Sequence, residues 1–177
     1  MKRYYRTPSA ALGALFMLAS AQAAIYTYTG NSTVAAPGNT WSSGTGWNAI
    51  PVSASDTSLV FGTATSLASG VNVNTSQDFG SPFLLNSLTL AYSGPASGTQ
   101  PNVQINTGEL RFVSSGATTP TISLNATGTS SARWPHLIFS NAVTFDADTT
   151  ISAVSDVRFD GVLWNWPEML RYHPHNR

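Results

Sequence analysis

The sequence predicts an all-β fold, a parallel β-helix (β-solenoid) with an irregular N-terminal cap. Short segments of alternating apolar and polar residues recur along the chain, separated by clusters of Gly, Ser, Thr, Asn and Pro. Asn at positions 86, 106, 125 and 141 accompanies these segments, and repetition at such a spacing is typical of stacked coils. Outside residues 1–23, no segment has the 3.6-residue spacing of a helix. The alternative fold is a β-sandwich, whose strands are usually longer, at about 5–6 residues.

The composition fits strands and turns and excludes several kinds of protein. Of 177 residues, 44 are Ser or Thr, 42% are hydrophobic and only 9% are charged. An ordinary globular protein has about 25% charged residues. Enough apolar material is present for a core, so the chain is not a disordered polyelectrolyte. The absence of Cys excludes a disulfide scaffold, a thiolate zinc site and a Cys nucleophile.

Residues 1–23 have the pattern of a secretory signal peptide. Lys2, Arg3 and Arg6 form a positive start, residues 10–19 are apolar, and residues 21–23 form a small-x-small cleavage site. The apolar run is too short for a membrane span, which needs about 20 residues. We therefore expect an exported mature chain that is extracellular or on the outer cell surface and has no membrane span.

Removal of that segment changes the charge balance. The whole chain has a formal net charge of zero, but five Arg would then face eight Asp and Glu, and no Lys would remain. Nucleic-acid binding requires clustered Lys and Arg on phosphates. We therefore expect no nucleic-acid partner.

The mature chain divides into a cap with the first strands, residues 24–81, and solenoid coils, residues 82–163. Strands are predicted at 25–29, 58–62, 71–74, 84–90, 103–105, 110–113, 121–124, 137–139, 143–145, 150–153 and 157–159. The Asn spacing predicts about 16–20 residues per coil, hence about four to five turns between residues 83 and 163. Asn suits sharp corners, and stacked Asn side chains can form a hydrogen-bonded ladder.

The order of these segments resembles a known family. It comprises Trp41, Gly-Trp-Asn at 46–48, Pro51, and the segments 56–62, 82–90 and 148–153. This order resembles the N-terminal part of bacterial autotransporter-associated β-strand repeat proteins, over residues 24–163. The resemblance implies a passenger-like parallel β-helix on an exported protein. Such proteins usually continue for many more coils, whereas here the pattern stops near residue 163.

Residues 164–177 form an atypical C-terminal tail. They contain no Ser, Thr or Gly but hold two of the three His, His173 and His175. The tail is interpreted as the product of a truncated or frame-shifted reading frame, and the alternative is a docking or metal-binding tail. An uncapped last coil would expose strand edges, so we expect self-association through the solenoid edge unless this tail covers it.

The best catalytic candidate is an acidic group. It consists of four Asp residues with one nearby Arg: Asp146, Asp148, Asp156, Asp160 and Arg158. Paired carboxylates hydrolyse glycosidic bonds, so a polysaccharide-active β-helix enzyme is one alternative. The same oxygens could hold calcium. The simpler interpretation is that these Asp residues cap turns.

Other candidates are weaker. Trp41 and Trp47 could form an aromatic platform in a small carbohydrate-binding module, or they could pack at the N-terminal end of the core. His136 has no nucleophile motif near it, and His173 and His175 could chelate a metal weakly. We therefore expect no catalytic, cofactor or metal site. The expected role is structural, display or adhesive, with a polysaccharide or cell-surface ligand as a possible partner.

Overall fold

A computed structural model describes residues 23–30, 38–63, 66–80, 82–125 and 133–164. Within these ranges the chain is all-β, with almost no helix. Its strands are, in chain order, β1 (Ile25–Tyr28), β2 (Asn39–Thr40), β3 (Ser58–Phe61), β4 (Asn72–Ser76), β5 (Phe83–Leu85), β6 (Ser87–Leu90), β7 (Asn102–Asn106), β8 (Glu109–Phe112), β9 (Thr121–Leu124), β10 (His136–Phe139), β11 (Ala142–Phe145), β12 (Thr150–Ala153), β13 (Val157–Phe159) and β14 (Leu163–Trp164).

The strands wind into three parallel sheets. The first sheet has the order β1-β3-β6-β9-β12, the second β13-β10-β7-β4-β2, and the third β14-β11-β8-β5. From β4 onward, successive strands belong to successive sheets, and every third strand returns to the same one. This is a β-solenoid of roughly four turns, so the predicted fold class is confirmed and the β-sandwich alternative is wrong.

The predicted repeat length is wrong for most of the chain. Along the first sheet, the register partners are Leu59, Leu88, Ile122 and Ile151. Each of these turns therefore takes roughly 30 residues, well above the predicted length. Residues 83–163 accordingly make about three turns, from Phe83 through Leu110 and Val143 to Leu163, and the predicted four to five turns over this range are wrong. Only the last turn is short, since Leu137 pairs with Val157 in the second sheet. The earlier turns carry long connections between the first and second sheets, at 62–71, 91–101 and 125–135, where the last turn has only 154–156.

The four Asn residues lie at three kinds of corner, and only Asn106 and Asn141 share one, so they do not form the predicted ladder through the coils. Asn86 separates β5 from β6, so the predicted single strand 84–90 is two strands. Asn106 ends β7, Asn125 follows β9, and Asn141 precedes β11. An Asn pair does bridge two coils elsewhere, because Asn102 Nδ2 donates to Asn72 Oδ1 over 2.7 Å.

Inward-facing apolar residues form one continuous core through the coils. In the first sheet, buried residues alternate with more exposed ones, as β6 and β9 show. Aromatic rings stack between neighbouring coils. The ring centroids of Phe139 and Phe159 lie 5.1 Å apart, and the two ring planes make an angle of 7°. Burying one such side chain contributes about 1.5–3 kcal/mol, so stacking of coils stabilises the whole solenoid.

The N-terminal end of the core is an aromatic cluster. Tyr28, Trp41, Trp47, Phe61 and Phe83 contact one another, mostly edge to face. Strands β1, β3 and β4 come from the segment 24–81, interpreted above as a cap with first strands, and they belong to the same parallel sheets as the later strands. The solenoid geometry therefore already begins at β1.

Candidate functional site

The outer face of the third sheet carries a groove of about 420 Å³. Its lining residues come from three successive coils: Glu109 and Arg111 from β8, Thr144 from β11, and Trp164 from β14. Strand alternation places them there, because Leu110 and other inward neighbours occupy the core. The coil register aligns Arg111 with Thr144 and Thr144 with Trp164, so these three side chains form one row.

Glu109 organises the polar side of the groove. Its Oε1 accepts hydrogen bonds from Arg111 Nη2 at 3.0 Å, from Arg111 Nε at 3.3 Å and from Thr144 Oγ1 at 2.8 Å. Thr144 is only 2% exposed although it lies on the outward side, because its row neighbours flank it. The guanidinium is thereby held against the sheet in a fixed orientation.

A second carboxylate completes the charge distribution. Asp146 Oδ2 lies 3.6 Å from Arg111 Nε, just past the end of β11. Two carboxylates and one guanidinium give this face a formal charge of −1. Partly exposed ion pairs of this kind stabilise a fold by only about 0–1 kcal/mol, so the network positions Arg111 more than it stabilises the protein.

Trp164 supplies the apolar side of the groove. Its side chain is 58% exposed, whereas Trp41 and Trp47 are 0% and 8% exposed. The predicted platform of Trp41 and Trp47 is therefore wrong, and the alternative that they pack in the core is confirmed. The large exposed aromatic surface lies instead at the opposite end of the solenoid.

The predicted acidic group is dispersed. Asp146 and Asp148 lie in the connection between β11 and β12, Asp156 lies before β13, and Asp160 follows β13. These positions are three different corners of the last turn, so the structure does not bring the four carboxylates together. Asp146 pairs with Arg111, and Asp160 pairs with Arg158 at 2.9 Å. Of the four, Asp146 is the one that contacts a groove residue, through its ion pair with Arg111.

His136 begins β10 and has an acidic neighbour. Its Nε2 lies 3.3 Å from Asp156 Oδ2. Desolvation by burial nevertheless lowers the pKa of His136; the Asp156 charge acts in the opposite direction, and Arg158 adds to the lowering. Burial outweighs the carboxylate because the Asp156 side chain is 73% exposed and its charge is screened by water.

The described residues contain no group of three or more His, Asp or Glu able to hold a metal ion. In that part of the chain, no helix is long and apolar enough to cross a membrane. His173 and His175, the predicted chelating pair, lie outside the described residues, as do the predicted signal peptide up to Gln22 and all of the tail beyond Trp164.

None of the four lining residues was among the predicted site residues. Glu109 is the only carboxylate in its strand, whereas paired carboxylates occur in the Asp-rich C-terminal region. The change of composition places Trp164 in an atypical tail, although the strands continue through Leu163 and Trp164 in β14. An apolar–aromatic pair shortly after β13 was the signal that could have identified it.

Fold and groove together define a β-solenoid protein with a small open site on one outer face. No protein-family model, no curated protein and no solved structure matches the chain.

Proposed function

We propose that this chain is an exported bacterial surface or secreted protein whose β-solenoid has a structural, display or adhesive role without catalysis. The observation that carries the proposal is the repeated outward presentation of small polar residues on a continuous apolar core. On the first sheet, successive coils present Ser58, Ser87, Thr121 and Thr150 in one row. Such a rigid, regularly patterned surface suits a scaffold or an adhesive face.

The export part of the proposal is supported by residues 1–23, and the bacterial setting by the resemblance to autotransporter-associated β-strand repeat proteins. The mature surface, acidic and free of Lys, favours a polysaccharide or cell-surface ligand over nucleic acid. Self-association is a further part of the proposal. Strands β12, β13 and β14 stand last in their sheets within the described residues, and parallel edges of this kind can pair with another copy.

Export is tested by expressing the full chain in a bacterial host, with cell fractionation and N-terminal sequencing. We expect a mature protein that begins at Ala24 outside the cytoplasm. Leu15→Arg places a charge in the apolar stretch and should leave uncleaved protein inside the cell. Tyr5→Arg adds the same charge to the positive start and serves as the matched control, which should be exported normally.

A full-length, uncleaved protein in the cytoplasm of the wild-type strain would contradict the proposal. Surface display is tested separately by treating intact cells with protease. Loss of the mature band from intact cells supports display, whereas loss only after lysis shows that the chain stays inside. Sedimentation at increasing protein concentration tests self-association.

A further inference from the structure

We infer that the groove lined by Glu109, Arg111, Thr144 and Trp164 is a binding site for a neutral saccharide. The inference deepens the adhesive part of the proposed function and rests on that function only for its biological setting. Binding by the purified chain can be measured whether or not the chain is displayed on a cell.

Trp164 forms the aromatic side of the groove. Trp164 stays 58% exposed on the outer face of a strand, where a large apolar ring lies in water. A sugar ring has one face of C–H groups that can cover such an indole while its hydroxyls stay at the edge. An exposed Trp ring with polar side chains next to it is typical of surfaces that recognise amphipathic ligands.

The polar side offers both donors and acceptors. Glu109 and Asp146 hold Arg111 through its Nε and Nη2 atoms, and Arg111 Nη1 makes no hydrogen bond within the described part of the chain. Asp146 Oδ1 also accepts no hydrogen bond from a side chain there. The N–H donors of Arg111 in the groove and the carboxylate of Asp146, which contacts Arg111, match a ligand whose hydroxyls donate and accept at once.

The charge of the face selects among sugars. Two carboxylates and one guanidinium leave a formal charge of −1, and Arg111 is already engaged by both acids. A uronic acid or sulfated sugar would meet this negative face with a carboxylate or sulfate of its own, which costs free energy. A neutral hexose or pentose meets no such repulsion.

Groove dimensions fit a short saccharide. The volume of about 420 Å³ lies in the lower part of the ~300–1,000 Å³ range of small-molecule sites. The groove is open to solvent along the solenoid surface, so one or two sugar rings can occupy it while a longer chain continues past it. The partially preorganised Arg111 lowers the ordering cost of binding.

The test uses the purified full chain with three neutral probes, cellohexaose, mannohexaose and xylohexaose, and with polygalacturonate as the acidic comparison. Binding is measured by titration calorimetry. We expect at least one neutral probe to bind and polygalacturonate to bind at least about tenfold more weakly. Trp164→Ala and Arg111→Gln should each weaken that binding about tenfold or more.

Val162→Ala is the matched control, because Val162 is 54% exposed close to Trp164 in the chain but does not line the groove. It should bind like the wild type. Circular dichroism and the urea midpoint establish that each variant is folded, and Arg111→Gln provides the readout if Trp164→Ala unfolds. The inference is overturned if no neutral probe binds at millimolar concentration, if both groove variants bind normally, or if polygalacturonate binds more tightly. None of these results alters the export test, so the two failures are distinguishable.

Discussion

Trp41 Nε1 donates a 2.6 Å hydrogen bond to Thr75 Oγ1 inside the N-terminal aromatic cluster, and both side chains are fully buried. The two residues are distant in the sequence and belong to successive coils. Thr75 in turn donates to the carbonyl of Asn39 over 3.1 Å. A buried polar chain thus joins β2 and β4 to the indole that fills the end of the core.

Replacing Trp41 should therefore cost more than replacing its neighbour. Trp41→Phe removes the hydrogen bond to Thr75 and part of the ring, and should lower the free energy of unfolding by about 2 kcal/mol. Trp47→Phe is the matched control in the same cluster. Its buried Nε1 has no hydrogen-bond partner within the described residues, so its loss should cost about 1 kcal/mol less. Urea unfolding followed by circular dichroism measures both; equal costs would contradict the role of the Thr75 contact.

Asn86 should stabilise the corner between β5 and β6, so that its replacement lowers the free energy of unfolding. Its buried side chain donates to the carbonyls of Val113 at 2.9 Å and Thr118 at 3.1 Å. Asn86→Ala leaves these acceptors without that donor, and we expect a loss of about 1–3 kcal/mol.

Asn102→Ala is the comparison for Asn86→Ala. The hydrogen bond from Asn102 to Asn72 lies at the surface, where water replaces it, and its loss should cost only about 0.5 kcal/mol. Urea midpoints of the two variants give the test. A larger cost for Asn102→Ala would mean that the surface Asn pair, and not the corner, holds the coils in register.

Stability should depend on the protonation of His136. Burial lowers its pKa in the folded protein below the ordinary value of 6.5, so the unfolded chain binds the proton more readily. The contribution of His136 to stability is therefore greatest above pH 6.5 and is lost as the pH falls from 6.5 through the lower folded pKa. We expect the urea midpoint of the wild type to fall between about pH 7.5 and about pH 5.5.

His136→Gln removes the titrating group and should flatten this pH dependence. The variant keeps a polar side chain at the start of β10 and serves as its own reference at the higher pH. An equally steep fall in His136→Gln would assign the effect to another group.

The last coil should depend on its aromatic stack. The ring centroid of Phe159 lies 5.1 Å from that of Phe139 and 6.0 Å from that of Phe145. Phe159→Ala should cost about 2 kcal/mol or more and should speed proteolysis within β13. Arg158→Ala changes the outward neighbour, whose ion pair with Asp160 is exposed, and should leave stability within about 0.5 kcal/mol of the wild type. If both variants behave alike in limited proteolysis, stacking of the rings does not hold this coil.

The strands were predictable because apolar and polar side chains alternate along them. The number of residues per turn was not, because the connections between strands differ in length. The strands at Thr121–Leu124, Thr150–Ala153 and Val157–Phe159 have the predicted bounds. The short strands β2 and β14 were missed, because two successive positions are too few to show alternation. The predicted repeat length is wrong because the four Asn residues lie at three kinds of corner instead of one, and because the connections between the first two sheets vary in length.

The groove was harder to predict than the fold. It depends on register between coils, which places Arg111 beside Thr144 and Thr144 beside Trp164 although each pair is far apart in the sequence. Without the register, the sequence offers Glu109 and Arg111 only as isolated charged residues in a strand. Local clustering favoured Asp146 to Asp160 instead, and that cluster is divided among three corners.

Both the core and the groove depend on the register between coils. Ser58 Oγ and Ser87 Oγ lie 2.7 Å apart in successive coils, and the chain has no Cys of its own. The double variant Ser58→Cys/Ser87→Cys should therefore form a disulfide on mild oxidation, since partners in neighbouring strands are about 4.8 Å apart.

The comparison is Ser58→Cys/Thr89→Cys, which is displaced from the register along the strand and separates the Cα atoms by about 8 Å, beyond the reach of a disulfide. Non-reducing electrophoresis and intact mass measure both variants. The three-sheet solenoid predicts rapid cross-linking of the first pair and little of the second. Cross-linking of the second pair alone, or of neither, would contradict the register.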